Sequence, residues 1–314
     1  MDILRDRTAA ADGQADDINY SDIGARLNAY RMGRNISPEE LAARLGISRA
    51  ALYRVEKGDI RKIDTLTSIA RVLGVSLPNL LGVGVEYVDN AVAFFERMRQ
   101  IEEDSEQIIG LFGPVSYLLT SDDYDEMLQQ VFQDLERDAG GANTETSQQI
   151  ARLLDILRQR KQAYRRRRQL LVSLITSADF ERFLQHGLVA GGAMPHALQR
   201  DRRAMACREA RHITALLRKQ PIGVQIGIVQ QSTPAIGFQI FRQPNRSVLA
   251  ISPFRLGEQP NVHVGVGLIT SAPEALTLHE DIARTLWDKS LKGDDAADYL
   301  DGLIAQHCEA TSGD

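Results

Sequence analysis

Along the first eighty residues the apolar positions recur at helical spacing, and beyond them they shift toward short continuous or alternating runs. Ile23, Leu27 and Tyr30 fall three and four apart, which predicts a helix over 21–34. Ser37 followed by Glu40 is a capping-box start, and Pro38 sits at the first helical position, where its missing N–H costs nothing. Leu41, Ala42 and Leu45 then share one face. Gly46 predicts a tight turn, and Ser48 caps a second short helix that turns Leu52 and Val55 inward. A further helix over 64–73 carries Leu66, Ile69, Ala70 and Leu73 on one side and stops at Gly74. A fifth short one fits 76–82.

Two short helices joined by a glycine-bearing turn make a helix-turn-helix, whose second helix can enter a DNA major groove. The run Glu40-Leu-Ala-Ala-Arg-Leu-Gly-Ile-Ser-Arg-Ala-Ala-Leu-Tyr-Arg-Val-Glu-Lys-Gly, with Ile69-Ala-Arg-Val-Leu-Gly-Val after it, resembles the lambda-repressor-like, or XRE-type, helix-turn-helix family over 20–82. The resemblance implies an all-α, five-helix DNA-binding domain. It also implies that Ser48, Arg49, Ala50 and Tyr53 meet base edges, Arg49 as a bidentate reader of guanine and Ala50 against a thymine methyl. Arg54, Lys57, Arg61 and Lys62 would contact phosphate and position the domain without reading sequence. Glu56 is expected to pair with a neighbouring helix, because a carboxylate beside phosphate is repelled. Many family members carry a phosphate-contacting Gln at the start of the second helix, where this chain has Pro38 and Glu39.

Charge sharpens the division. The 314 residues carry a net −5, yet 20–82 is +4, the sign suited to phosphate; 83–150 is −12 and 151–219 is +11. The two opposed blocks are expected to neutralise each other, within one chain or across a dimer. The run 165–168 is four arginines that cannot share a helix face. It leaves open pairing, a phosphate-bearing effector and auxiliary DNA contact. The two cysteines, Cys207 and Cys308, have no metal-ligand spacing, no apolar run is long enough to span a membrane, and the polar start of the chain lacks a signal-peptide core. A cytoplasmic protein is expected, with a disordered tail over 1–19 and neither metal nor cofactor.

The stretch 83–169 reads as a helical connector. Val88, Val92, Phe95 and Met98 place an amphipathic helix over 86–104, and helices follow over 122–136 and 144–168. Between them, Gly110, Gly113 and Pro114 break any helix, so 111–119 fits a strand. The connector's stripes suit either plain core packing or a dimer seam. From 170 the pattern becomes a layered α/β or α+β domain over 170–292, with strands at 170–175, 222–229, 236–242, 248–251 and 262–269; 293–314 reads as a tail. This half loosely resembles the phospholipase-D-like domain of some transcriptional regulators, through 170–175, 209–229 and the closing Val266-Gly-Leu-Ile-Thr-Ser-Ala-Pro. Enzymes of that family need His-x-Lys. Here Leu188, Leu198, Thr214, Gly265, Asp281 and Glu309 stand two after the histidines, so the resemblance implies no phosphodiester chemistry. No other catalytic motif is present.

If 262–269 and 222–229 are strands, their glycine-bearing faces expose Gln225 and His263 beside Gly265, with Arg255 on a nearby connection as an anion anchor. That face suits an effector groove or the close packing of a helix. The sequence therefore reads as a regulator binding a double-stranded DNA operator, as a homodimer, with a small-molecule effector in the second half. Its rivals are an effector-free repressor or antitoxin whose second half only oligomerises, and an enzyme fused to a DNA-binding head.

Overall fold

A computed structural model describes residues 20–308 apart from 61, 139–143, 189–194, 232, 257–260 and 263. The expected tail over 1–19 thus lies outside the described residues. The chain divides into two compact units, Met1–Glu86 and Tyr87–Asp314.

The first unit holds five helices: α1 (Tyr20–Gly33), α2 (Pro38–Leu45), α3 (Arg49–Glu56), α4 (Ile63–Leu73) and α5 (Leu77–Leu81). Their ends are set by local chemistry. Ser37, Ser48 and Ser76 each accept a hydrogen bond from the backbone N–H three residues on, and Gly46 closes α2 in the left-handed region at φ 66°. Ile23, Leu27, Leu41, Leu52, Ile69 and Leu80 are fully buried and form the core. A buried polar network ties α1 to the end of the unit. Arg26 pairs with Glu86 at 3.1 Å, the Tyr30 hydroxyl donates to the same carboxylate, and the Asn79 amide donates to the Tyr30 oxygen at 2.9 Å.

In chain order the remaining elements are β1 (Val85–Val88), α6 (Ala91–Glu103), β2 (Gln107–Phe112), a 3-10 turn at Tyr117–Leu119, α7 (Asp122–Asp138), α8 (Thr144–Arg167), β3 (Leu170–Thr176), α9 (Ser177–His186), α10 (His196–Lys219), β4 (Val224–Val229), β5 (Phe238–Arg242), β6 (Ser247–Ile251), β7 (Gly267–Thr270), α11 (Pro273–Lys289), β8 (Leu291–Lys292) and α12 (Gly293–Cys308). The strands form one mixed sheet in the order β1-β7-β6-β5-β2-β3-β4-β8. β2, β3 and β4 run parallel, with Ile109 beside Val172 and Val172 beside Gln225; β5 returns antiparallel on the other side of β2, and β6 and β7 continue the antiparallel run. β3 is buried along nearly its whole length, as a central strand covered on both faces must be.

Three sequence expectations need correction here. The segment 83–169 is not a separate connector: β2 sits at the centre of the sheet, and α6 and α8 pack on each other within the second unit. The helix expected over 86–104 divides into β1 and α6, because Asn90 caps α6 by accepting from the Ala93 N–H. Moreover α6 is buried at every position from Ala91 to Met98, not along one stripe. The expected tail over 293–314 contains α12, which buries Ala296, Ala297, Leu300 and Ile304 and packs on α10; 309–314 lies outside the described residues.

The acidic and basic blocks meet inside this unit. Arg160 grips Glu102 through two hydrogen bonds of 2.9 and 2.6 Å, Lys161 pairs with Asp125 at 2.7 Å, Arg165 with Asp122 at 2.7 Å, and Arg202 with Asp134 at 2.7 Å. Arg160, Lys161 and Arg202 are all buried, so each needs its partner. Burial lowers the Lys161 ammonium's pKa, against the pull of Asp125. A disulfide joins Cys207 on α10 to Cys308 at the end of α12, 101 residues apart in sequence.

Candidate nucleic-acid interface and candidate effector cavity

The turn between α2 and α3 is made by Gly46, after which Ser48 caps α3 by accepting from the Ala51 N–H at 3.1 Å. With Leu52 buried beneath it, α3 presents the opposite side outward. Arg49, Ala50, Tyr53 and Arg54 are exposed there and border one shallow depression. The Lys57 ammonium lies 5.7 Å from the Tyr53 ring centroid, close enough for a cation–π contact. Lys62 is exposed at the start of α4, and Arg61 lies outside the described residues. Five of the residues expected to touch DNA, Arg49, Ala50, Tyr53, Arg54 and Lys57, therefore lie on α3 or at its end, and Ser48 spends its oxygen on the cap.

Two acidic residues surround this face. Glu56 turns inward and pairs with Arg31 of α1 at 2.7 Å, both side chains buried to about nine-tenths. That contact fixes the C-terminal end of α3 against the body of the domain. Glu39 stays exposed and pairs with Arg49 at 2.9 Å. An exposed pair of this kind is worth at most about 1 kcal/mol, so it holds Arg49 loosely in the absence of DNA. Sequence reasoning placed Glu56 in a helix–helix pair but did not foresee the Glu39–Arg49 pair.

Residues 27–80 match the family of helix-turn-helix domains. This part of the chain is a helix-turn-helix domain. The match begins within α1 and ends within α5, so it covers α2, α3 and α4 entire. No curated protein matches the chain. Among solved structures, the apo form of the competence regulator ComR from Streptococcus vestibularis is similar at 18% identity, over 64% of this chain and 72% of that one, with a TM-score of 0.20. No helix among the described residues is long and apolar enough to cross a membrane.

The second unit contains a cavity of about 610 Å³, within the usual range of small-molecule sites. It opens at the carboxyl ends of the parallel strands β2 and β3, marked by Phe112 and Thr176, where open α/β sheets commonly bind ligands. Phe95, Phe112, Tyr117, Tyr124 and Phe254 give it aromatic walls. The Tyr124 hydroxyl donates to the Leu256 carbonyl at 2.6 Å, and the Tyr117 hydroxyl to Asp125 at 2.8 Å, so both rings are held in place. Burial raises both phenols well above the ordinary tyrosine range.

The sequence-predicted effector residues are not brought together. Arg255 lines the cavity, but Gln225 sits at the start of β4, at the opposite end of the strands from Thr176. The strand expected over 262–269 shrinks to Gly267–Thr270, and His263 lies outside the described residues. Gly265 has φ +149°, and a Cβ there would come within 2.5 Å of Pro253, so its lack of a side chain serves chain packing. The same holds for Gly227 against Ser290 and Gly267 against the Phe94 ring. What sequence reasoning missed is the 111–118 segment, the end of β2 and the turn after it, which supplies about a third of the cavity's lining residues. The Gly113-Pro114 break was its signal.

Proposed function

We propose that this chain is a sequence-specific, DNA-binding transcriptional regulator that acts in the cytoplasm as a homodimer, with operator affinity set by a small molecule in the second unit. The observation that carries DNA recognition is the exposed face of α3, where Arg49, Ala50, Tyr53, Arg54 and Lys57 stand together on a matched helix-turn-helix. Arg49 would leave Glu39 for a guanine edge, an exchange of one weak exposed pair for a bidentate contact worth about 1–3 kcal/mol of discrimination. Arg54 and Lys57 would hold phosphate, joined by Arg61 and Lys62. A head of this size makes few base contacts, so useful specificity requires two heads on half-sites about one helical turn apart.

The cavity supports the sensing half of the reading over the effector-free repressor. Its mechanism would be population shift: the effector binds one dimer geometry better than another, and only one of them matches the operator spacing. The strand at 170–175 and the helix–strand unit at 209–229 are compatible with the phospholipase-D-like resemblance, with His-x-Lys lacking and no catalytic role assigned. The test is light scattering of the full chain, followed by binding to a duplex selected from a random pool. Dimers that bind a pseudo-palindrome agree with the proposal; a monomer at micromolar concentration that binds a single half-site as tightly as the full site contradicts it.

A further inference from the structure

The groups around the cavity carry an accounting of charge and hydrogen bonds that selects a ligand class. Arg160, Arg182 and Arg255 line it, with Asp179 as the acidic member. Arg160 is neutralised by its two bonds to Glu102, and its guanidinium carbon lies 5.3 Å from the Phe95 ring centroid. Arg182 pairs with Asp179 at the first turn of α9, which Thr176 caps by accepting from the Asp179 N–H at 3.0 Å. Arg255 is exposed and makes no side-chain ion pair or hydrogen bond with the other described residues; its backbone bridges Asn261. Among the described residues, one positive charge is therefore left over at the rim.

Two further polar groups on the wall are unspent. Ser116 is 1% exposed and its hydroxyl has no hydrogen-bond partner among the described residues, although a buried polar group left unpaired costs about 1–3 kcal/mol. The Gln239 side-chain amide, at the start of β5, is half-buried and makes no side-chain hydrogen bond with the other described residues. The unpartnered Ser116 hydroxyl gains a partner if its side chain turns toward a ligand in the cavity, and the half-buried Gln239 amide offers a donor from the same wall.

We propose that the cavity takes a small organic monocarboxylate, its apolar body among Phe112, Tyr117 and Phe254, and its carboxylate on the Arg255 guanidinium with Ser116 and Gln239 completing its hydrogen bonds. This rests on the cavity being the effector site. A single guanidinium matches a carboxylate fork to fork. A phosphate ester carries about −1.5 to −2 at neutral pH, more than the one unpaired arginine balances. A neutral ligand leaves Arg255 without a role.

The experiment titrates the full-length protein calorimetrically with matched series that differ only in the head group: phenylacetate, phenylacetamide and benzyl phosphate; octanoate, octanamide and octyl phosphate. In at least one series the carboxylate should bind about tenfold or more tightly than its amide, as a charge-assisted hydrogen bond predicts. Arg255→Gln, at an exposed position that the fold does not depend on, should close that gap, and Arg255→Lys should restore part of it. Amides binding as tightly as carboxylates, or phosphates binding more tightly, would overturn the ligand class while leaving an occupied cavity. No binding by any member would overturn the ligand class and the effector reading together.

Discussion

Removing the Glu56 carboxylate should unfold the DNA-binding unit while leaving the second unit intact. Glu56 ends α3, and its partner Arg31 on α1 lies 2.7 Å away with side chains only 8% and 11% exposed. Arg31 also donates to the Ile36 carbonyl at 3.0 Å, so Glu56→Ala leaves a buried guanidinium with one hydrogen bond and no counter-charge. Breaking such a pair from one side costs about 3–5 kcal/mol. A unit of this size holds roughly 0.05–0.15 kcal/mol per residue, or about 3–9 kcal/mol in all, so the loss is comparable to its whole stability. The chain's single tryptophan, Trp287, lies on α11 in the second unit and gives a clean separation. In urea, the Trp287 fluorescence transition of Glu56→Ala should stay where it is, while the helical circular-dichroism signal loses an early fraction. Arg31→Met combined with Glu56→Leu removes both charges and should recover most of the loss, giving a coupling energy of 1 kcal/mol or more. A loss below about 1 kcal/mol for Glu56→Ala, or a double variant no better than the single, would refute the reasoning that a buried ion pair fixes α3.

Reducing the Cys207–Cys308 disulfide releases a loop of about 100 residues from cross-linking, which by chain entropy costs about 2–5 kcal/mol; the Trp287 transition should move to lower urea in dithiothreitol and in Cys308→Ser alike. An unchanged midpoint would mean that α12 docks without the bond. Burial pushes the Tyr164 phenol up from 10.0 to about 12 and raises those of Tyr117 and Tyr124 as well. A folded pKa above the unfolded one gives stability that is complete below pH 10 and falls as pH rises from about 10 toward 12. Spectrophotometric titration should therefore find these phenols ionising only as the second unit unfolds. Glu39→Gln removes a carboxylate from beside the phosphates and from an exposed pair, so it should tighten binding to all duplexes while changing the unfolding free energy in urea by less than about 0.5 kcal/mol. Weaker binding by fluorescence anisotropy would instead make Glu39 a residue that positions Arg49 for DNA.

The helix-turn-helix was legible because its signals are local. Ser37, Gly46, Ser48, Gly74 and Ser76 all fulfil the capping roles that their residue types favour, and each acts within four residues of its own position. The second unit depends on distant partners. Val88, Val92 and Phe95 continue a helical spacing across the β1–α6 break, and only the Asn90 cap betrays it. The stripe Ala296, Ala297, Leu300 and Ile304 did carry a helical period, yet its acidic surroundings obscured it. The cavity draws its wall from segments separated by more than 130 residues, and glycines that looked like a ligand groove proved to be spaces filled by Pro253, Ser290 and Phe94. The opposed charge blocks were a better guide, since Arg160, Lys161 and Arg202 find Glu102, Asp125 and Asp134 across them.

The central claim is that α3 reads sequence through Arg49 while Lys57 only holds the backbone. Its most direct measurement is the affinity of the full chain, Arg49→Ala and Lys57→Ala for a selected duplex and its single-base variants across a range of salt. Arg49→Ala should lose about 1–3 kcal/mol of discrimination at one base pair per half-site and leave the other positions unchanged. Lys57→Ala should weaken every duplex alike and lower the slope of log affinity against log salt by about 1. Losses of the same kind from both variants, uniform across all base pairs, would contradict the account.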